Sequence, residues 1–301
     1  MIAGIIGNSI KSDFSKVLFE LIQALNDADI KMILSDNIED FIDAGQKKIP
    51  SVRVADLKIV GKESDIIISI GGDGTMLATA ATAYEFDKPV VGVNIGKLGF
   101  LAEVSTEMLQ EFTQKLRSNE YTIEERMVLN GCVCGKTKLH LSAINDFVID
   151  KGGWPKMVEI TISVGEEYVT TFAADGIIIA TPTGSTGYSL STGGPIVTPR
   201  AKVITLSPIS AHSLTMRPLV IDAEQKITID VNSNHNVLQL NNDGRKSNLF
   251  PPPIKFEISK NPRPLKLLRI NSTDYFSTLR NKLLWGLDAR KVRESLNNNH
   301  Q

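Results

Sequence analysis

The chain has 301 residues, of which 42% are hydrophobic, and its 33 basic and 34 acidic residues give a net charge of −1. This length predicts about two domains. The balanced charge argues against a general nucleic-acid or membrane-surface binder, and no apolar run reaches the roughly 20 residues that cross a bilayer. The N-terminus lacks a basic, signal-like segment, so we expect no signal peptide and a cytoplasmic location.

The first 120 residues alternate between apolar strands and amphipathic helices. Strands are predicted at residues 2–6, 30–34, 65–70 and 89–95, and helices at 14–25, 75–83 and 108–117. Residues 36–64 are charged and ambiguous, and we expect helix and loop there. The alternation is typical of a parallel, doubly wound sheet, so we predict a Rossmann-like α/β domain over residues 1–120.

A different pattern begins near Tyr121. Short apolar or alternating runs separated by turn residues continue to about residue 260, which indicates a β-rich second domain over 121–271. Cys132 and Cys134 fall on one such run, and we expect two thiols on the same strand face rather than a metal site. Helical spacing returns in the C-terminal segment, 272–301, which we expect to pack on the N-terminal domain.

The motif Gly71-Gly72-Asp73-Gly74-Thr75 follows a predicted buried strand and opens a predicted helix. Glycines let a backbone approach a ligand, and free N–H groups at a helix N-terminus bind anions, so the motif is a candidate phosphate loop. A carboxylate repels phosphate, so Asp73 needs a different role, either taking a proton from a hydroxyl or helping to hold a divalent cation. The alternative is that Asp73 only caps the helix.

A second candidate segment, residues 174–199, is rich in hydroxyl groups and glycines and has prolines near both ends. Such a loop can give N–H and O–H donors to a polyhydroxylated or phosphorylated ligand. Tyr188 can stack on a base or pack in a core. The alternative is a flexible linker, against which the closely flanking apolar strands argue.

The third candidate is the pair Asn145-Asp146, which interrupts an apolar, alternating run. Buried polar side chains need hydrogen-bond partners. One interpretation is that Asn145 recognises an adenine or amide edge and Asp146 a ribose. The alternative is a β-bulge or a turn at a strand end.

Together these stretches resemble the NAD kinase family, and the resemblance covers most of the chain. It rests on GGDGT at 71–75, NIGKLGFL at 94–101, ND at 145–146, DGIIIATPTGSTGYSLSTGGPI at 175–196, SPISAHSLTMRPLVI at 207–221, DG at 243–244 and DYFSTLRNKLLW at 274–285. GGDGT alone also occurs in diacylglycerol, sphingosine and phosphofructo-kinases. The long glycine- and hydroxyl-rich motif together with the ND pair is more specific.

The resemblance implies transfer of the γ-phosphoryl group of ATP to the 2′-hydroxyl of the adenosine ribose of NAD, which gives NADP. It implies a divalent metal such as Mg²⁺, a site between an α/β and a β-rich domain, and a homodimer or homotetramer. Neither a nucleic acid nor a membrane is expected as a partner, and no side chain is assigned as a metal ligand.

The resemblance also assigns roles to individual residues. Asp73 would be the base, and Gly71, Gly72, Gly74 and Thr75 would form the phosphate loop for ATP. The residues expected to bind NAD are Asp73, Gly74, Phe100, Asn145, Asp146, Asp175, Thr183, Thr186, Gly187, Tyr188, Ser189, Leu190, Ser191 and Arg245.

Three positions depart from the family pattern. Ala173, Ala211 and Arg245 stand where relatives often have Arg, Pro and Gln, so the contacts at these positions are open. Two other functions are considered. A diacylglycerol-type lipid kinase shares GGDGT, but the chain has no basic amphipathic segment. A non-catalytic dinucleotide-binding regulator could keep residues 175–191, and the intact Asp73 argues against it.

Overall fold

The computed structural model describes residues 1–8, 13–38, 52–96, 99–134, 138–270 and 275–286. Contacts divide the chain into two units, one comprising Met1–Glu124 and Lys266–Gln301 and the other Glu125–Leu265. None of the helices in the described ranges is both long and apolar enough to cross a membrane.

The first unit is built on a seven-stranded sheet. Its strands are β1 (Ile2–Gly7), β2 (Lys31–Ser35), β3 (Val52–Ala55), β4 (Ile66–Gly71), β5 (Val90–Asn94), β6 (Thr122–Arg126) and β19 (Leu265–Arg269). They lie in the order β3-β2-β1-β4-β5-β19-β6, and the pairs from β3 through β19 are parallel. The described α-helices of this unit are α1 (Phe14–Asp27), α2 (Leu57–Glu63), α3 (Asp73–Glu85), α4 (Leu109–Ser118) and α6 (Tyr275–Leu283).

The apolar pattern accounts for this α/β architecture. Every residue of β4 is buried, as expected for a parallel strand that is covered on both faces. The helix α1 places Phe14, Leu18, Leu21 and Leu25 on one face, and all four are buried in the core of the unit. The predicted parallel, doubly wound α/β domain is thereby confirmed.

One part of the sequence interpretation is wrong. The expectation of only helix and loop over residues 36–64 missed β3, which pairs in parallel with β2. The strand has four residues, lies at the edge of the sheet and is only partly buried, so its apolar signal is weak. One of its four residues is charged: Arg53 forms an ion pair with Glu63 of α2 at 2.6 Å. Within residues 36–64, positions 39–51 lie outside the described residues.

The second unit contains two six-stranded antiparallel sheets. The strands are β7 (Leu129–Cys134), β8 (Leu139–Ala143), β9 (Asp146–Asp150), β10 (Val158–Val164), β11 (Glu167–Ala174), β12 (Gly176–Ala180), β13 (Val203–Ile209), β14 (Leu219–Asp222), β15 (Ile227–Asn232), β16 (Leu238–Asn242), β17 (Lys246–Phe250) and β18 (Ile254–Lys260). One sheet has the order β11-β10-β15-β18-β7-β8 and the other β14-β13-β12-β9-β16-β17. A one-turn helix, α5 (Tyr188–Ser191), follows a 3₁₀ turn at Gly184–Thr186.

Side chains from both sheets form one core. Phe147 of β9 packs edge-on against Phe256 of β18, with ring centroids 5.0 Å apart and an interplanar angle of 84°. The predicted β-rich domain is thereby confirmed. Cys132 and Cys134 alternate with buried residues along β7 and are half-buried, as expected for two thiols on one strand face.

Candidate active site

Asp73 lies in the first turn of α3, directly after the buried strand β4. The N-cap of this helix is Gly72, in an extended conformation, and no side chain caps the helix there. The Asp73 carboxylate accepts hydrogen bonds from other segments of the same unit instead. The alternative that Asp73 only caps its own helix is therefore wrong.

A loop folds over the Asp73 carboxylate. The backbone N–H of Phe100 donates to Asp73 Oδ2 at 3.0 Å, and that of Leu101 donates to Asp73 Oδ1 at 3.1 Å. Gly99 precedes these donors, and a Cβ atom at that position would overlap Asp73 Oδ1. The absence of a side chain at Gly99 thus allows the loop to close on the carboxylate.

The third partner of Asp73 comes from the C-terminal helix. Lys282 Nζ, on α6, donates to Asp73 Oδ2. The same ammonium lies over the ring of Phe100, 4.8 Å from its centroid. Tyr275 of α6 also contacts Phe100, with centroids 6.3 Å apart. The helix α6 therefore packs against both Asp73 and the loop that covers it.

These contacts determine the charge of Asp73. Burial raises the pKa of the carboxyl, but the bond from Lys282 and the two backbone bonds lower it by more, so the pKa lies below its usual range. Asp73 is therefore an anion at neutral pH. It is available to accept a proton, although its partners make it a weaker base than a free carboxylate.

A cavity of about 420 Å³ opens beside the N-terminal turn of α3. Its lining includes both polar side chains and backbone groups, from Ile6, Gly7, Asn8, Asn37, Leu57, Gly74, Thr75, Ala78, Thr79 and Thr82. Gly74 and Thr75 belong to the predicted phosphate loop. Since the first N–H groups of a helix have no partner within the helix and carry partial positive charge, this cavity can accept an anion.

The second unit holds Asn145 and Asp146 in a bend between β8 and β9. Thr181 fastens this bend: its N–H donates to Asn145 O at 2.8 Å, and its hydroxyl donates to Ile144 O at 2.7 Å. Gly184 lies so close that a Cβ atom there would overlap Asn145 O. The backbone bends at a strand end, close to the alternative interpretation of this pair, and the bend packs against the hydroxyl-rich segment.

A buried carboxylate supports the same bend from the other side. The side chain of Asp243 is 0% exposed and accepts N–H bonds from Ile144 at 3.0 Å, Asn145 at 2.7 Å and Asp146 at 3.2 Å. Arg245 Nη2 donates to Asp243 Oδ2 at 3.0 Å and supplies the counter-charge. Asp243 thereby fixes the backbone that carries Asn145 and Asp146.

The two side chains on this bend have unfilled bonding capacity. Asn145 Oδ1 is buried and has no hydrogen-bond partner within the described part of the chain. Asp146 is 5% exposed, and burial together with the nearby Asp243 raises its pKa to about 7. A Cβ atom at Gly187 would lie 3.6 Å from Asn145 Nδ2 and 3.9 Å from Asp146 Oδ2, so both polar groups face this glycine. The arrangement can bind a ligand that offers hydrogen-bond donors.

The hydroxyl-rich segment is ordered by bonds within the unit. Ser189 Oγ is buried against Ser207 Oγ at 2.8 Å, and Thr183 Oγ1 accepts from Arg126 Nη1 at 3.4 Å. Ser191 Oγ donates to Tyr188 O at 2.7 Å, and Thr186 Oγ1 donates to Thr183 O at 3.3 Å. The alternative of a flexible linker is therefore wrong.

Tyr188 is 49% exposed, so the interpretation that it packs in a core is also wrong. Leu190, on the same one-turn helix, is half-buried. Because many hydroxyls of this segment are occupied by partners within the unit, its backbone and the Tyr188 ring are its more available groups.

Two predicted site residues, Asp175 and Arg245, have charged partners other than the Asn145 and Asp146 side chains. Asp146 pairs with Ala180 at one end of β12, whereas Asp175 precedes the other end and forms an ion pair with Lys151 at 2.6 Å. Arg245 reaches Asp243 rather than the Asn145 or Asp146 side chain.

Sequence reasoning assigned no role to several residues that complete these clusters. They are Gly99, Leu101, Thr181, Asp243 and Lys282. Each of these residues lies within a stretch that carries the family resemblance, and this was the signal that could have marked them as candidates. The contact that each one makes is determined by the fold.

Residues 3–121 match the family described as ATP-NAD kinase N-terminal domain, and residues 144–270 match the ATP-NAD kinase C-terminal domain. The NAD kinase of Chlorobium phaeovibrioides is 40% identical over 244 residues, which are 81% of this chain and 86% of that protein. The NAD kinase of Bacteroides fragilis strain ATCC 25285 is 40% identical over 230 residues, 76% of this chain and 79% of that protein.

Two solved structures share the fold. The yeast NADH kinase complexed with NADH has a TM-score of 0.87 and 23% identity, covering 96% of this chain and 89% of that chain. The NAD kinase from Archaeoglobus fulgidus in complex with ATP has a TM-score of 0.72 and 24% identity, covering 94% of this chain and 98% of that chain.

Proposed function

The chain belongs to the ATP-NAD kinase family, and we propose that it makes NADP from NAD and ATP with Asp73 as the general base. The observation that carries this assignment is the ionised Asp73 carboxylate, held by Phe100 and Leu101 at the start of α3. A lipid kinase is not supported, because both halves of the chain match NAD kinase domains.

The proposed reaction forms a bond between the 2′-oxygen of the adenosine ribose and the γ-phosphorus of ATP. The bond between this phosphorus and the β,γ-bridging oxygen breaks, and its electron pair leaves with ADP. Asp73 accepts the proton of the 2′-hydroxyl and later releases it to solvent. Positioning and charge neutralisation supply most of the catalysis in such transfers, and a base assists as the new bond forms.

The cavity beside α3 supports a place for the triphosphate. Gly74 and Thr75 present the positive end of the helix, and Asn8 and Asn37 add polar groups. Gly71 and Gly72 lead the chain into this turn, and a Cβ atom at Gly71 would lie only 2.5 Å from Thr75 Oγ1. We therefore assign the phosphate loop, Gly71 to Thr75 without Asp73, to ATP.

A resident metal site does not fit the side chains that surround Asp73. Among the residues with described positions, no three His, Cys, Asp or Glu side chains could hold one ion together. Both oxygens of Asp73 already accept hydrogen bonds. We propose instead that Mg²⁺ enters as part of the substrate MgATP, where it neutralises phosphate charge.

NAD binding is assigned to the Asn145–Asp146 pair and its surroundings. The unpartnered Asn145 Oδ1 can accept from an amine of adenine or nicotinamide amide, and Asp146 can accept from ribose hydroxyls. Tyr188 can stack on a ring, and the turn from Thr183 through Ser191 can contribute backbone groups. On the Asp73 side, Gly74 and Phe100 are assigned contacts with NAD.

The roles of Asp175 and Arg245 in NAD binding are less direct. Asp175 must exchange its Lys151 partner to reach a ligand, and Arg245 acts by pairing with Asp243.

We also propose that the chain forms a homo-oligomer and is located in the cytoplasm. The domains that we propose for each chain are residues 1–120, 121–271 and 272–301. The edge strand β11 exposes Tyr168 by 67% and supports an interface between copies. The free thiols of Cys132 and Cys134 suit a reducing compartment.

The test is an assay of the purified protein with NAD, ATP and Mg²⁺. We expect NADP to form and to require both the nucleotide donor and the metal. Phosphorylation of diacylglycerol without NADP formation under any metal condition would contradict the proposal. Dinucleotide binding without turnover would favour the non-catalytic regulator.

A further inference from the structure

We propose that Lys282 is a catalytic residue whose ammonium moves from the Asp73 carboxylate to the γ-phosphate of bound ATP. The movement frees Asp73 to accept the ribose proton and places a positive charge on the group in transfer. This inference rests on the proposed function of Asp73 as the base.

Lys282 is hydrogen-bonded to Asp73, the residue whose carboxylate must be free to accept the ribose proton. Its Nζ donates to Asp73 Oδ2, the oxygen that also accepts from Phe100 N at 3.0 Å. The bond from Lys282 lowers the pKa of Asp73 and therefore its basicity. A base in this state accepts a proton poorly, because protonation would break an ion pair. Catalysis by Asp73 is favoured if Lys282 has another anion to bind.

Distances place that anion within reach of Lys282. A base that takes the proton of the 2′-hydroxyl lies about 2.6–3.2 Å from its oxygen. The γ-phosphorus lies about 3–3.5 Å from the same oxygen before transfer. Since Lys282 Nζ contacts Asp73 Oδ2 directly, these separations put the γ-phosphorus within about 10 Å of the ammonium, and nearer where the atoms are not in line. The long lysine side chain can cover the remaining distance by a change of rotamer.

The surroundings of Lys282 permit this movement. Its side chain is 35% exposed, and it has a flexible four-carbon stem with three donors at its end. The face of Phe100, 4.8 Å from Nζ, offers a second attractive position beside Asp73. The γ-phosphoryl oxygens of MgATP offer several charged acceptors, so the ammonium keeps a charge-assisted hydrogen bond after it leaves Asp73. The proton of the ribose passes to Asp73.

The experiment compares Lys282→Gln with a matched control, Lys266→Gln. Lys266 forms an ion pair with Asp87 at 2.8 Å in the same unit, so the control removes an equivalent lysine–aspartate pair away from the site. NADP formation is measured with NAD and ATP titrated separately, and Tm is recorded for each variant. Asp73→Asn and the double variant Asp73→Asn/Lys282→Gln complete the set.

We expect Lys282→Gln to lower kcat by about 10²-fold, as is found when one donor to developing charge is removed. The control should stay within about twofold of the unmodified enzyme, and Lys282→Arg should recover part of the loss. The acidic limb of the kcat/KM profile should move to higher pH in Lys282→Gln, because the pKa of Asp73 is no longer lowered by the ammonium. The double variant should lose less than the product of the two single losses.

A kcat of Lys282→Gln within threefold of the unmodified enzyme would overturn the inference. So would a loss that disappears when rates are corrected for the folded fraction, or losses that multiply in the double variant. Failure of the underlying function is distinguishable, because it appears as full activity in Asp73→Asn or as an unmodified enzyme that forms no NADP. Impaired Asp73→Asn with unimpaired Lys282→Gln would overturn the lysine inference alone.

Discussion

The Asp243 carboxylate accepts the backbone N–H of Asn145 at 2.7 Å, across 98 residues of sequence. Two neighbouring N–H groups, of Ile144 and Asp146, donate to the same side chain. The bend that presents the candidate NAD-binding pair is thus built around a buried negative charge. Arg245 is the cation that pairs with this charge.

Asp243 is assigned no contact with NAD, but Asp243→Asn should weaken NAD binding because it disturbs the bend that carries Asn145 and Asp146. The asparagine amide can accept fewer of these hydrogen bonds, and its own N–H donors would face the backbone N–H donors of the bend. Buried polar groups would then lack partners. We expect a KM for NAD raised by about tenfold or more, a KM for ATP near that of the unmodified enzyme, and a loss of about 1–3 kcal/mol in stability. Asp222→Asn is the control, because Asp222 accepts one exposed backbone bond from Glu224. Equal effects on the two KM values would contradict a local role.

Asp146→Ala should weaken NAD binding more than ATP binding. An acidic residue that accepts hydrogen bonds from ribose hydroxyls cannot favour a triphosphate. The ionised form of Asp146 makes a charge-assisted bond, and its loss should cost about 1.5–3 kcal/mol in NAD binding free energy above pH 7, where the carboxyl is ionised. Calorimetry with each nucleotide measures this, and Asp150→Ala, at the other end of β9, is the matched control. Unchanged NAD affinity would remove Asp146 from the site.

The raised pKa of Asp146 predicts a pH dependence of stability. Its folded-state pKa is about 7 against 3.8 for an ordinary aspartate, so the folded protein binds this proton more tightly than the unfolded chain does. The stabilisation is complete below about pH 4 and is lost as pH rises towards 7, by at most about 4 kcal/mol. Urea titrations at pH 5 and pH 8 measure the free energy of unfolding. Its difference between the two pH values should be smaller for Asp146→Asn than for the unmodified protein. The same difference in both proteins would show that Asp146 has an ordinary pKa.

Gly99→Ala should impair catalysis through the Asp73 carboxylate. The added methyl group overlaps Asp73 Oδ1, so the carboxylate or the loop must shift. We expect kcat to fall by at least about tenfold, since small displacements of reacting groups have large effects on rate. Gly61→Ala overlaps the Phe86 ring, outside the site, and should lower Tm with kcat preserved. Loss of kcat in both variants, or in neither, would contradict the assigned role of Gly99.

Local patterns of the sequence predicted much of this molecule. The alternation of strands and helices in the first unit and the short apolar runs of the second follow from side-chain burial, which has a period that can be seen along the chain. The strand β3 was missed because it is short, marginal and partly exposed. GGDGT and the Asn145–Asp146 pair could be recognised because each places polar side chains beside apolar, buried runs. Polar groups in such positions need hydrogen-bond partners or a function.

The partners of those groups could not be predicted in the same way. Phe100 is 27 residues from Asp73, and Lys282 is 209 residues away. Asp243 was given no role from the sequence, and only the fold shows that its side chain accepts the N–H of Asn145. Contacts of this kind depend on the packing of whole elements and leave no local period.

The central claim is that Asp73 takes the proton of the ribose hydroxyl, and Asp73→Asn tests it most directly. The substitution keeps the shape of the side chain and removes the proton acceptor. Steady-state kinetics with NAD titrated, repeated over a wide range of Mg²⁺ concentration, should show kcat lowered by about 10²–10⁴-fold with NAD affinity retained. Rescue of the rate by high Mg²⁺ would assign Asp73 to the metal instead, and a kcat near that of the unmodified enzyme at ordinary Mg²⁺ would contradict the account.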